Sequence, residues 1–149
     1  MNEFKKKSCY FLSRIAKKER CAFVNGGVLN YMENNLSKIE QVEKALYKSW
    51  SLESSSKWSE DNPAKGHCGV TTLVVNDILG GEIKKTKLPD GWHFYNVLNG
   101  KRYDFTASQF REAIVYMDFP SNREEAYMDT NEKQYNYLKQ RVLKNLDIT

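Results

Sequence analysis

The sequence predicts an α+β fold in which a helix opened by a cysteine packs on a small antiparallel sheet, with further helices before and after it. Three observations predict this. Residues 68–79 are apolar on most sides and are closed by Gly80-Gly81; residues 92–105 carry two strand-like runs around Asn99-Gly100; and apolar residues recur at helical spacing near both ends of the ordered region.

The elements follow in chain order. Ser37-Lys38-Ile39-Glu40 has the pattern of a capping box, and Ile39, Val42, Leu46 and Trp50 continue it as one face of an amphipathic helix. Residues 51–57 are Ser-rich and read as an exposed connection. Pro63 and Gly66 break regular structure before Cys68, after which Val70, Leu73, Val74, Val75, Ile78 and Leu79 form a helix buried on most sides. Residues 82–88 read as an edge strand guarded by Lys84, Lys85 and Lys87, and Pro89-Asp90-Gly91 as a turn. Thr106-Ala107-Ser108-Gln109 repeats the capping-box pattern and predicts a short helix; residues 114–117 suggest a strand and 118–129 a polar loop. Asp129 with Glu132 is then expected to cap a last helix with the stripe Tyr135, Leu138, Val142 and Leu146, which serves either the core or a homodimer face.

Composition excludes several function classes. The 149 residues are 40% hydrophobic and 13% aromatic, enough for one globular domain, and no apolar run is long enough to span a membrane. Cys9, Cys21 and Cys68 are odd in number, lack CxxC spacing and follow no secretory signal, so a reduced cytoplasmic protein is expected. With His67 and His93 as the only histidines, neither a metal site nor a cofactor is expected. The net charge of +4 is concentrated in residues 1–31, which hold seven Lys or Arg against Glu3 and Glu19; the body is close to neutral, which argues against nucleic-acid binding. Residues 1–31 are expected to be a basic leader, either disordered or a misassigned start with Met32 as the true initiator, leaving a single domain over 32–149.

The hairpin allows a geometric test of function. A two-residue turn at Asn99-Gly100 places Tyr95 opposite Asp104 and His93 opposite Thr106, so that His93 and Asp104 are diagonal neighbours on one face. Trp92, Phe94, Tyr103 and Phe105 take the other face, expected to be core. Cys68 at a helix N-terminus faces unpaired N–H groups and the positive end of the helix dipole, which favour a thiolate. Cys68, His93 and Asp104 thus supply a nucleophile, a general base and a group that orients the base. The Cys68 N–H and the Asn62 side chain are candidate oxyanion donors, and Trp58, His67, Trp92 and Tyr95 are candidate walls of a substrate cleft.

The same residues carry a family resemblance. Asn62-Pro63-Ala64-Lys65-Gly66-His67-Cys68-Gly69-Val70-Thr71, Gly80-Gly81-Glu82-Ile83, His93-Phe94-Tyr95-Asn96 and Tyr103-Asp104-Phe105-Thr106 resemble the YunG-like bacterial proteins. The resemblance covers roughly residues 39–146. It implies a papain-like, or transglutaminase-like, core with a cysteine helix on an antiparallel sheet. It implies no substrate. The chain departs from the pattern at His67, where Gln is expected before the cysteine, and at Phe94-Tyr95, where Tyr-Trp is usual.

Two function classes remain open at this point. One is a cysteine hydrolase or acyltransferase acting on an amide, ester or thioester of a small molecule or peptide. The other is a noncatalytic module of the same fold that binds a peptide or metabolite. In the second, Cys68 is a buried small hydrophobe, His93 a hydrogen-bonded strand residue and Asp104 a partner for Arg102 or Lys101.

Overall fold

The computed structural model describes residues 26–146. Helix α1 (Gly26–Ser49) leads through an irregular segment, 50–67, to α2 (Cys68–Leu79). Strands β1 (Glu82–Leu88), β2 (Gly91–Leu98) and β3 (Lys101–Tyr103) follow, then a 3₁₀ turn (Ala107–Gln109), strand β4 (Phe119–Ser121) and helices α3 (Arg123–Tyr127) and α4 (Glu132–Asn145). The four strands form one antiparallel sheet in the order β3-β2-β1-β4. No helix among the described residues is long and apolar enough to cross a membrane.

Helix α2 starts and stops where the apolar run does. Cys68 through Val75 are all buried, so this helix has no solvent face over its first two turns. Gly80 and Gly81 end it with φ of 70° and 82°, a region that favours glycine. At Gly81 a side chain would also strike the Val97 carbonyl oxygen, at 2.4 Å, so the turn can hug β2 only because that residue has none.

The hairpin has the expected register. Leu98 pairs with Lys101, Val97 with Arg102 and Asn96 with Tyr103, with Asn99 and Gly100 both at positive φ in the turn. The expected burial pattern does not follow from it. His93, Phe94, Tyr95 and Asn96 are all buried, because segment 104–118 covers one face of β2 while α2 covers the other. Trp92, expected in the core, is 43% exposed at the rim, where its ring meets Phe119 and Lys85.

Other expectations are corrected by longer-range contacts. Ser37 is not a cap: α1 runs through it, and 26–31, assigned to the leader, belong to this helix. The expectation for 1–25 lies outside the described residues. Ser54 and Ser55 in the connection are buried, not exposed. Strand β1 is not the edge along its whole length, since β4 pairs with Ile83, Lys84 and Lys85. That strand lies at Phe119–Ser121, whereas 114–117 form none. Thr106 does not cap the 3₁₀ turn, because its hydroxyl donates to Asp104. Asn122 caps α3 inside the supposed polar loop, and Asn131, not Asp129, caps α4 by accepting from the Gln134 N–H.

The main core joins Val42 and Leu46 of α1, Val70, Val74 and Val75 of α2, Leu98 and Tyr103 of the hairpin, and Leu138 and Val142 of α4. The apolar stripe of α4 is therefore used inside the protein, with Leu138 and Val142 fully buried, and is not a free face for a homodimer. A smaller cluster of Cys68, Leu73, Ile83, Phe94 and Ala126 lies where α2 meets the sheet.

One carboxylate on α1 opposes folding. Glu43 is buried, and burial, with the nearby Glu40, pushes its carboxyl up to about 7 from 4.5. The folded state holds this proton more tightly than the unfolded one, so the stability it contributes is present below pH 4.5 and is lost as pH rises through 7. Replacing Glu43 with Gln is expected to leave stability near pH 4.5 little changed and to raise it by about 1–3 kcal/mol at pH 8. Urea denaturation of both proteins at the two pH values measures this. Parallel stability curves would refute it.

Candidate active site

Asp104 lies one residue beyond β3 and is nearly cut off from water, with 5% of its side chain exposed. Its Oδ2 accepts from His93 Nε2 at 2.6 Å and from the Tyr116 hydroxyl at 2.7 Å; its Oδ1 accepts from the Thr106 N–H at 3.1 Å and the Thr106 hydroxyl at 3.2 Å. Such a carboxylate is held in place as an acceptor. Burial and the Asp104 charge push the Tyr116 phenol well above its ordinary range, so it remains a donor. With Nε2 facing Asp104, His93 has Nδ1 as its remaining nitrogen, and Phe110 stands edge-on to the ring at 4.8 Å.

Cys68, the first residue of α2, clusters with Phe94, the neighbour of His93 on β2. In a two-residue hairpin Leu98 and Lys101 exchange hydrogen bonds, and every second residue back along β2 turns its N–H the same way. Phe94 shares that parity with Leu98 and Asn96. Strand β3 stops at Tyr103, so the Phe94 N–H faces an open notch in the sheet edge. The Phe94 N–H and the Asp104 charge are both near enough to act on the thiol, the first favouring its ionised form and the second opposing it. The peptide that carries His93 to Phe94 thus connects the His–Asp pair to the sulfur.

The state of the thiol differs from the sequence expectation. The group at the N-terminus of α2 is the Asp129 carboxylate: its Oδ2 accepts from Cys68 Sγ at 3.3 Å and from the Gly69 N–H at 3.2 Å. Burial, Asp129 and Asp104 together push the thiol well above its ordinary value, outweighing the Phe94 N–H, so Cys68 is a thiol at rest and not a thiolate. Gly69 makes the contact possible. A Cβ there would lie 2.7 Å from both the Ala126 carbonyl oxygen and the Asp129 Cβ.

The structure sorts the remaining candidates. Asn62 donates its Nδ2 to the Gln109 carbonyl oxygen at 3.1 Å and ties the incoming loop to the 3₁₀ turn, so at rest it does not serve as an oxyanion donor. The Cys68 N–H opens α2 and has no acceptor within the helix. His67 lines no cleft. It is fully buried, with Nδ1 3.1 Å from the Lys65 carbonyl oxygen and Nε2 2.7 Å from Ser54 Oγ, and it fastens the 51–58 segment to the start of α2. Tyr95 is likewise buried, with its hydroxyl 2.9 Å from Asp118 Oδ1, and burial pushes the phenol up to about 12. Trp58 is half-buried against the main core. Trp92 faces a cleft of about 320 Å³ lined by Lys85, Trp92, Phe94, Glu125, Met128 and Asp129. A second cavity of about 290 Å³, mostly apolar, is lined by Asp104, Phe110, Ile114 and Tyr116 among others.

Sequence reasoning missed Asp129, Tyr116 and Gly69. The sequence offers Asp129 as a helix cap; the Asn131-x-x-Gln134 spacing two residues later is the competing signal.

Fold and site together define an α+β domain in which a cysteine-opened helix packs on an antiparallel sheet that carries a buried His–Asp pair. The chain belongs to the YunG family: the family model described as YunG protein matches residues 38–147. It is 50% identical over 109 residues to "Uncharacterized protein YunG" of Bacillus subtilis (strain 168), an alignment covering 73% of this chain and 95% of that protein. No solved structure matches the chain.

The buried His67 makes stability depend on pH. Burial pushes its imidazole down to about 4 from 6.5, so its contribution is present above pH 6.5 and is lost as pH falls through 4. This slope opposes that of Glu43 over the same range, so the wild-type curve understates both. The stability difference between wild type and His67→Gln is expected to shrink by about 2–3 kcal/mol from pH 7 to pH 4. Chemical denaturation at both pH values checks it, and a constant difference would refute it.

Proposed function

We propose that the protein is a thiol-dependent hydrolase or acyltransferase built on a papain-like core, with Cys68 as nucleophile, His93 as base and Asp104 as the group that orients it. The observation that carries this reading is the buried His93–Asp104 hydrogen bond of 2.6 Å, on the peptide whose Phe94 N–H meets the Cys68 sulfur. A structural histidine needs no carboxylate so fully held by other donors. A base that must become an imidazolium does.

In the proposed reaction the Cys68 sulfur attacks the carbonyl carbon of an ester, thioester or amide, and the thiol proton passes to His93 Nδ1. The carbon–sulfur bond forms as the bond to the leaving group breaks, and the imidazolium returns its proton to that group. Water or an amine then releases the acyl group by the same steps in reverse. The Cys68 N–H is the available donor to the developing oxyanion.

The noncatalytic alternative rests on one observation, the thiol that burial and Asp129 keep protonated. Alkylation of Cys68 by iodoacetamide at pH 8, followed by peptide mapping so that Cys9 and Cys21 are counted separately, distinguishes the two. The enzyme reading expects His93→Ala to slow modification of Cys68 roughly 10- to 100-fold and Asp104→Asn to slow it by a smaller factor. Equal rates in all three proteins would favour the binding module.

A further inference from the structure

We infer that Asp129 recognises a cationic amino group placed next to the scissile carbonyl, so that the substrates are α-amino acyl compounds with a free amine and an apolar side chain. The inference rests on the thiol chemistry proposed above and names the class of molecule that uses it.

Charge in the cleft beside Cys68 is unbalanced at one residue. Lys85 Nζ is 2.9 Å from Glu125 and 4.4 Å from the centre of the Trp92 ring, so these charges match each other. Among the described residues the exposed Asp129 receives the Cys68 thiol and the Gly69 N–H, and no Lys or Arg pairs with it. The complementary ligand therefore carries one positive charge. The apolar part of the wall, Trp92, Phe94 and Met128, suits a hydrocarbon side chain beside that charge, and Met128 is 86% exposed.

The distances accommodate a cation on the carbon next to the carbonyl. Asp129 Oδ2 lies 3.3 Å from the sulfur. An ammonium nitrogen sits about 2.8 Å from a carboxylate oxygen. In an α-amino acyl group the nitrogen is about 2.5 Å from the carbonyl carbon, and a sulfur ready to attack stands about 3–3.5 Å from that carbon. These four separations close into one small ring, so an ammonium on Asp129 brings the adjacent carbonyl to the sulfur.

The same contact frees the nucleophile. At rest the carboxylate holds the thiol proton and repels a thiolate; an ammonium supplies protons to the carboxylate in place of the thiol and cancels its charge. The substrate thereby cancels the largest charge contribution, after burial, to the raised thiol.

The test uses the full chain and two probes, an alkyl thioester of leucine with a free amine and its N-acetyl analogue. Formation of the thioester at Cys68 is followed by intact mass and peptide mapping. Sulfur–carbon bond formation expels the alkyl thiol, which takes the Cys68 proton. The free-amine probe is expected to acylate wild type roughly 10- to 100-fold faster than the N-acetyl probe. In Asp129→Asn this ratio should fall to about 3 or less. Equal rates for both probes in wild type would overturn the inference and leave the thiol enzyme standing. A preference that survives Asp129→Asn would also overturn it. No acylation by either probe, with iodoacetamide rates indifferent to His93→Ala, would remove the enzyme reading itself and the inference with it.

Discussion

Asp104 is a carboxylate almost without water, and an ionised carboxylate in that position must be given protons by the protein. Its donors come from separate parts of the chain: His93 from β2, Tyr116 from the segment after the 3₁₀ turn, and Thr106 from the residues just past β3. Each must be placed to within a few tenths of an ångström, so the hairpin register, the end of β3 and the path of 104–118 are coupled through one side chain. A shift of one residue in the hairpin would turn His93 to the opposite face and leave the carboxylate short of a donor. The cover of 104–118 over the sheet is also what buries both faces of β2 around His93.

The second constraint is close approach at the start of α2. Gly69 admits the Ala126 carbonyl and Asp129, while residues 68–75 are buried on all sides, so the helix can neither rotate nor slide without opening the core. His67 reinforces this position from the other side through Ser54 and Lys65. The sulfur is therefore aimed by packing on three sides, and the notch left where β3 ends provides the fourth contact.

What was legible in the sequence was local. The positive φ that Asn99 and Gly100 accept makes a two-residue turn, that turn sets the register, and the register brings His93 and Asp104 together. The limits of α2 were equally legible, because an apolar run between glycines has few alternatives. Burial on β2 was not, because alternation predicts burial only when one face of a strand is open to water. Nor was Asp129, Tyr116 or β4: all three lie in 114–129, where the residues have no period and are placed by contacts with distant elements. The papain-like topology inferred from resemblance is compatible with the mixed α+β architecture observed, which by itself establishes only that coarser class.

The position of Asp129 changes what the helix N-terminus means here. Unpaired N–H groups and the helix dipole stabilise an anion at that end of α2, and the sequence suggests that the anion is the thiolate. In the folded protein it is the Asp129 carboxylate, 3.3 Å from the sulfur. Two negative charges at that distance in a partly buried site strongly oppose one another, so the dipole supports one of them at a time. The thiol is held protonated first by burial and then by the carboxylate that occupies this helix terminus. Burial is the largest cause of the raised thiol and Asp129 the next, so in the proposed reaction the charge on Asp129, in the cleft formed by α3, the turn before α4 and the outer end of β2, bears on Cys68 as well as the His–Asp pair.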